Sequence, residues 1–350
     1  MTLQQRIELL AELGNFLVNT PDDPKLNDAV QQAWIENRWF TPENIHAALK
    51  AIAQQMLDID RLKAWAATYP VHESLHPERT IGIVMAGNIP LVGFHDWLCV
   101  FVSGERAKVK MSEKDKTLLP FLIGLLGEWS HETREYTVFC GENEPLRDFD
   151  AVIATGSNNT ARYFEQYFAK YPHIIRRNRN AVAILDGTES VADFYALGHD
   201  IFTFFGLGCR NVSKLYVPQN YNFEPLLEAL HEYKELANHD KYRNNFDYNT
   251  TLYIMNNIPY INNGCLILRE DSSLASRIAS VHYEYYEDLT QLTVIIDRQQ
   301  EEIQCVVGKI KLPSTDALSV IPFGQSQSPA LSDYPDGVDV MLWLTNLTQK

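Results

Sequence analysis

One thiol in this chain sits where chemistry could use it. Cys209 follows Phe204-Phe205-Gly206-Leu207-Gly208 and precedes Arg210-Asn211-Val212-Ser213-Lys214-Leu215-Tyr216-Val217. Residues 193–202 ahead of it are helix-like, and residues 213–218 behind it are strand-like. A thiol at such a turn, near helix-terminal amides, can lose its proton readily and attack a carbonyl. A buried packing cysteine is the alternative, and the commoner fate of a lone thiol. Asn88 stands between a glycine and an X-Pro bond in Gly87-Asn88-Ile89-Pro90. Its amide could donate to a developing oxyanion, although turns favour asparagine without any function. Thr155-Gly156-Ser157 closes the apolar run at 151–154 and opens a helix. Amides at a helix start attract phosphate, and a serine there also serves as an ordinary cap. In Lys108-Val109-Lys110-Met111-Ser112-Glu113, Lys110 ends a strand and Glu113 follows three residues later. The pair could grip a ribose and its phosphate, or form a solvated loop of mixed charge. His95, His173 and His199 are acid–base candidates, but no metal-type spacing joins them and no metal is expected. The run from Gly206 to Asn211 lacks the last glycine of a dinucleotide fingerprint and follows no buried strand.

These residues need elements to hold them. Residues up to about 68 read as helices. Leu3, Ile7, Leu10, Leu13 and Phe16 recur at helical spacing. Thr41-Pro42 reads as a cap followed by proline at the first helical position. From Thr80 the texture changes to strands at 81–85, 107–111, 135–139, 151–154 and 181–185. Helices at about 90–103, 117–130 and up to 169 alternate with them. That alternation predicts an α/β sheet with parallel pairings and with ligands at the carboxyl ends of the strands. After Cys209 the pattern resumes. Strands are expected at 214–217, 251–255, 265–268, 280–285, 292–296 and 318–321, with a helix over 289–299 as the competing reading. A helix is expected at 224–237, and a last strand at 338–344.

Bulk properties narrow the function classes. The chain has 350 residues, 45% of them apolar, enough for two packed domains. Its formal net charge of −15 excludes an extensive nucleic-acid surface, so no nucleic-acid partner is expected. A small anionic cofactor needs only a local basic pocket. The five cysteines are dispersed, with no CxxC pair. They fit a reducing cytoplasm rather than a disulfide framework. The N-terminus opens an amphipathic helix without the apolar stretch of a signal peptide. The apolar window at 81–102 is broken by Asn88, Pro90, His95 and Asp96, so no membrane span is expected.

The four motifs occur in one order, and in that order the chain resembles the aldehyde dehydrogenase superfamily. Within it, the chain looks like the acyl-CoA reductase branch, the fatty-acid reductases related to those that make aldehyde for bacterial luminescence. The segment 87–91 is similar to the superfamily's strand-end motif, whose asparagine helps form the oxyanion hole. Residues 104–113 resemble the segment that places Lys110, Ser112 and Glu113 at the adenine ribose. Thr155, Gly156 and Ser157 resemble the turn that contacts the pyrophosphate. Residues 205–217 are similar to the nucleophile motif, with Cys209 as its thiol. The resemblance is good over about 80–218 and weak to about 324.

The resemblance implies an α/β fold with a helical N-terminal segment (1–75) and a Rossmann-type NAD(P)-binding domain (76–190). An α/β catalytic domain (191–321) and a C-terminal tail (322–350) would follow. It implies an acyl-CoA or other acyl thioester substrate, and an oligomeric state that includes a homo-oligomer among the options. Cys209 would attack the thioester, with the Asn88 side chain and the Cys209 amide holding the oxyanion. NADPH or NADH on the 155–157 turn would then reduce the acyl-cysteine to aldehyde. NADPH is the family expectation; Glu113 pulls towards NADH, since a carboxylate repels a 2′-phosphate. Arg176, Arg177 and Arg179 are further candidates for neutralising phosphates.

Two departures carry information. Hydrolytic members activate water with a Glu where this chain reads Arg176-Arg177-Asn178-Arg179-Asn180-Ala181. General-base activation of water needs a base there. The Glu-x-Phe-Gly-Pro segment that holds the nicotinamide ribose is also missing, and Glu270 is its nearest stand-in. A hydrolytic aldehyde dehydrogenase and a non-catalytic acyl- or partner-binding protein are the alternative readings.

Overall fold

The computed structural model describes residues 1–71, 76–141, 144–310, 312 and 320–347. It divides into two compact units, Met1–Asn178 with Ser328–Lys350, and Arg179–Gln327. The expected boundary at residue 190 therefore lies at Arg179. The strand expected at 181–185 hydrogen-bonds into the second unit's sheet, and this pairing moves it out of the first domain.

The first unit opens with α1 (Leu3–Asn19), α2 (Pro24–Glu36), α3 (Pro42–Met56) and α4 (Ile59–Ala66). Each start has a local cause. Thr2 and Gln5 form a capping box on α1, and Asp23 and Thr41 cap α2 and α3 ahead of a first-turn proline. Gly14 lets α1 approach the end of α3, since a Cβ there would stand 2.7 Å from Leu57 Cβ. The buried stripes, Leu10 and Leu13 on α1 and Ile45 and Leu49 on α3, share one core with the sheet that follows.

That sheet is built from β1 (Thr80–Val84), β2 (Arg106–Lys110), β3 (Thr137–Phe139), β4 (Ala151–Thr155) and β5 (His173–Arg176). Helices α5 (Phe94–Ser103), α6 (Leu118–Trp129) and α7 (Asn158–Phe168) connect them. The order is β3-β2-β1-β4-β5, all parallel. Strand order reverses between β1 and β4, the position at which open α/β sheets leave a crevice at their carboxyl ends. β5 is absent from the sequence reading; its four residues are too few to show a period.

The second unit contains β6 (Asn180–Ile184), α8 (Val191–Phe202), β7 (Val212–Pro218), α9 (Glu224–Leu230) and α10 (Asp240–Met255). It continues with β8 (Ile261–Asn262), β9 (Ile267–Glu270), β10 (Ser280–Tyr286), α11 (Leu289–Arg298), β11 (Ile303–Gly308) and β12 (Val320–Ile321). The sheet order is β12-β11-β6-β7-β10-β9-β8, with only β8 antiparallel among the described pairs. Alternate residues feed opposite faces. Ala181, Ala183, Leu215 and Val217 pack with Leu197 and Ile201 of α8, whereas Val182, Ile184 and Tyr216 pack with Leu292 and Ile296 of α11. Helix α12 (Val340–Thr345) returns to the first unit, where it packs on α5.

Three expected strands are helical. Residues 251–255 end α10, whose buried stripe of Tyr242, Phe246, Asn249 and Tyr253 has helical spacing, and Thr251 Oγ1 donates to the Asp247 carbonyl at 2.8 Å. Residues 292–296 lie in α11, capped by Asp288, so the competing reading holds. Residues 338–344 largely form α12, because Asp339 accepts the Leu342 amide and starts a helix where the apolar run suggested a strand. The helix expected at 224–237 ends at Leu230 and continues as a 3-10 helix, His231–Asn238. Of the strand expected at 318–321, residues 318 and 319 lie outside the described residues.

Candidate active site

The first unit gathers its predicted residues along one edge. Lys110, Val84 and Ala154 stand level in the register of β2, β1 and β4. Asn88, the pair Ser112 and Glu113, and the 155–157 turn therefore leave the sheet from neighbouring strands at its carboxyl edge. The loops after β1 and β2 touch: a Cβ on Gly87 would stand 2.6 Å from Ser112 Oγ. Lys110 is committed within this edge, its ammonium donating to the carbonyls of Gly141 (3.1 Å) and Glu144 (2.9 Å). Ser112 Oγ accepts the Lys114 amide at 3.3 Å, and Glu113 is exposed.

Ser157 caps α7, accepting the Thr160 amide at 3.2 Å. The cap does not use up the helix start. Ser157, Asn158 and Asn159 are exposed, and the first turn carries no acidic side chain. An eleven-residue helix with an exposed start and no carboxylate in its first turn is a favourable seat for a phosphate. Gly156 must be small, because a Cβ would stand 2.9 Å from Thr160 Cβ and 3.0 Å from the Phe164 ring. These residues fit the diphosphate of a dinucleotide.

The three arginines do not form a phosphate clamp. Arg176 is buried and donates to Asp96 Oδ1 at 2.7 Å, in an ion pair that Asp336 extends at 3.7 Å. Arg177 pairs with Glu165 on the surface. Arg179 Nη1 donates to the carbonyls of Gln300 and Ile303. The basic run reads as one cluster in sequence, but strand ends and burial send its members to separate partners.

Cys209 lies in the second unit, half-buried in the turn between α8 and β7. The backbone ahead of it is unusual. Phe204 (φ 55°), Phe205 (φ 57°) and Gly206 (φ 75°) are consecutively left-handed. Two aromatic residues in that region cost free energy, and such strain collects at functional sites. A buried side chain braces the turn. Asn211 is buried, and its Nδ2 donates to the carbonyls of Thr203 (2.8 Å), Asp200 (3.1 Å) and Ile201 (3.4 Å). Its Oδ1 accepts the Gly208 amide at 2.8 Å. Asn211 thus satisfies the end of α8 and pins the residue before Cys209. Nothing in the sequence period marks it; an asparagine two residues after a turn cysteine was the only available signal.

A cleft backs this turn. Its walls include Gly206 and Gly208 of the turn, the side chains of Phe205, Tyr242 and Leu266, and Ser280. Ser280 Oγ is buried and has no hydrogen-bond partner among the described residues, and the preceding Ala279 is left-handed (φ 61°). Glu270 is not at this end of the sheet. It pairs with Tyr283 and so stands level with Leu215, three residues beyond the start of β7, whereas residues 276–281 line the cleft. The structure therefore does not bring Glu270 to Cys209.

The other thiols are poor nucleophiles. Burial pushes the thiols of Cys99, Cys140 and Cys265 up, Cys265 to about 11. Cys305 is buried in the second core. The histidines are occupied. His95 is buried, with Nε2 on the Leu331 carbonyl at 2.9 Å and Nδ1 3.8 Å from Cys99 Sγ. His173 bonds the Tyr171 carbonyl, and the His199 ring meets Tyr233 edge-on at 5.8 Å. Among the described residues no group of acidic, histidine or cysteine side chains could hold a metal, and no helix is long and apolar enough to cross a membrane.

Asp115 is a second residue that the motif reading passes over. It is buried behind the Lys110–Glu113 segment, and its carboxylate accepts the Leu91 amide at 2.8 Å.

No protein-family model matches this chain, and no curated protein matches it by sequence. Solved structures do match it. An aldehyde dehydrogenase from Bacillus cereus in complex with NAD+ is similar at a TM-score of 0.61 and 14% identity, over 89% of this chain and 72% of that one. An NAD-dependent aldehyde dehydrogenase from Sinorhizobium meliloti gives 0.61 and 12%, over 88% and 70%. A propionaldehyde dehydrogenase from a Clostridium phytofermentans microcompartment gives 0.61 and 11%, over 89% and 79%. The five-stranded parallel sheet, the seven-stranded sheet and their helices constitute the aldehyde dehydrogenase fold.

Proposed function

We propose that this chain is an NAD(P)H-dependent reductase of acyl thioesters, acting on acyl-CoA or a similar donor with a long acyl chain. The observation that carries the reading is the Cys209 turn: a half-buried thiol after three left-handed residues, pinned by a buried asparagine, on an aldehyde dehydrogenase fold. The segment 176–181 supports thioester chemistry over hydrolysis, because it offers no carboxylate to activate water.

In this reading the Cys209 thiolate attacks the thioester carbonyl. The Asn88 amide and the Cys209 backbone N–H take the negative charge, a contribution of about 3–4 kcal/mol per donor. The C–S bond to the donor thiol breaks, the thiol leaves and an acyl-cysteine remains. The turn of Thr155, Gly156 and Ser157 with the open start of α7 would hold the dinucleotide's phosphates, and Lys110, Ser112 and Glu113 its adenine ribose. Bound there, a reduced nicotinamide would supply a hydride to the acyl-cysteine carbonyl, and loss of the C–S bond would give aldehyde and return Cys209 as the thiolate. The exposed Glu113 favours NADH over NADPH.

The test is turnover of a long-chain acyl-CoA with NADH or NADPH, followed by cofactor oxidation and aldehyde release. Aldehyde release supports the proposal. Carboxylate formed from aldehyde and oxidised cofactor, with no acyl-CoA turnover, replaces it with a hydrolytic dehydrogenase. A folded protein that forms no acyl-enzyme and turns over neither substrate is a binding protein.

A further inference from the structure

Asp115 is an expensive residue to place where it stands. It is 5% exposed, and one carboxylate oxygen, Oδ1, has no hydrogen-bond partner among the described residues. The Leu118 amide adds only a weaker pull. The other oxygen accepts the amide of Leu91, 24 residues back in the chain. Leu91 is itself left-handed (φ 58°), an unfavourable conformation for leucine. It closes the loop Asn88-Ile89-Pro90 before α5, and Pro90 has no amide to anchor that loop. A charge-assisted bond from a carboxylate is about twice as strong as one between neutral groups. Asp115 also forms a backbone bridge with Ser112, so one residue ties the loop after β1 to the loop after β2.

From this geometry we infer that Asp115 is a positioning residue, which holds the Asn88 loop in the shape that presents the Asn88 amide to the substrate. The inference rests on the oxyanion role proposed for Asn88. It does not follow from stability. Burial raises the Asp115 carboxyl to about 6, so keeping it ionised at neutral pH works against folding. The charge that bears on it is Glu36 of α2, which raises it further and whose own carboxylate accepts the Thr117 hydroxyl at 2.7 Å.

Asp115→Asn keeps size and an acceptor but removes the charge. Two measurements on the full chain test the inference. The first is amide hydrogen exchange across residues 88–91, corrected for intrinsic rates. The Leu91 amide pulls the Asp115 carboxyl down, so for openings that release Leu91 while Asp115 stays buried, wild-type protection of this segment rises as pH passes upward through about 6. In Asp115→Asn it stays low at every pH. The second is acyl-CoA reduction. Asp115→Asn lowers kcat about tenfold, leaves the KM for the cofactor unchanged, does not lower Tm and loses the acidic limb of the kcat/KM profile. Equal protection in the two proteins overturns the inference, as does unchanged kcat or a kcat loss that follows a lower Tm. If the wild type reduces no thioester while its loop protection still follows Asp115, the anchoring stands and the proposed function falls.

Discussion

The carboxyl edge of the five-stranded sheet and the Cys209 turn present their polar groups by opposite means. At the edge, three loops leave adjacent strands from one level row, and the sheet does the positioning. The exposed residues there, Glu113 and Ser157 among them, add little to the order of the fold. At the Cys209 turn there is no such row. A left-handed run interrupts the path from helix to strand, and the Asn211 side chain answers three carbonyls and one amide. A site built on a sheet edge tolerates substitution residue by residue. A site built on one buried amide does not.

Breaking this contrast is straightforward, and the largest effect belongs to the thiol. Cys209→Ala abolishes acyl-enzyme formation as read by mass spectrometry while leaving Tm nearly unchanged; labelling that survives would move the chemistry to another residue. Asn211→Ala comes next. It orphans the end of α8 and the Gly208 amide, and should cost about 3 kcal/mol in denaturant unfolding along with a strong loss of Cys209 acylation. A cost below about 1 kcal/mol would show that the turn holds itself.

Asp115 sharpens the comparison in the other direction, because at the edge a buried charge opposes stability. A carboxyl raised from 3.8 to about 6 favours the folded state fully only below its unfolded value, and that advantage is lost as pH rises through about 6. Asp115→Asn should therefore be more stable than the wild type by up to about 3 kcal/mol at pH 7.5. The gap closes as pH falls from 6 to 4, which urea denaturation at several pH values would show. The smallest effect is expected at Ser157→Ala, a lost helix cap worth about 1 kcal/mol. If it costs as much as Asn211→Ala, the two regions are not built differently.

Much of the architecture was legible. The alternation of strand-like and helical stretches after Thr80 located four of the five strands of the first sheet: β1 and β4, buried on both faces, show as short apolar runs, and β2 as a charged–apolar alternation. Asn88, Lys110, Gly156 and Cys209 were visible because turns and strand ends restrict residue type locally. Residues 251–255, 292–296 and 338–344 were misplaced for one reason. Short apolar or β-branched runs fit either period; the capping residues His239 and Asp288 lie outside the first two runs, and Asp339 sits one residue into the third, where it starts a helix instead of continuing a strand.

What the sequence by itself determined is the order of elements and the chemical type at each strand end, because both follow from interactions between residues a few positions apart. What only the tertiary structure decided is which polar side chains are spoken for. Arg176 looks like a phosphate ligand until the chain brings Asp96, 80 residues away, against it in the core. Asp115 looks like one more loop charge until Leu91 turns its amide towards it. Burial removes water as the alternative partner, so a distant contact fixes the role of such a group, and its neighbours in sequence carry no record of that contact.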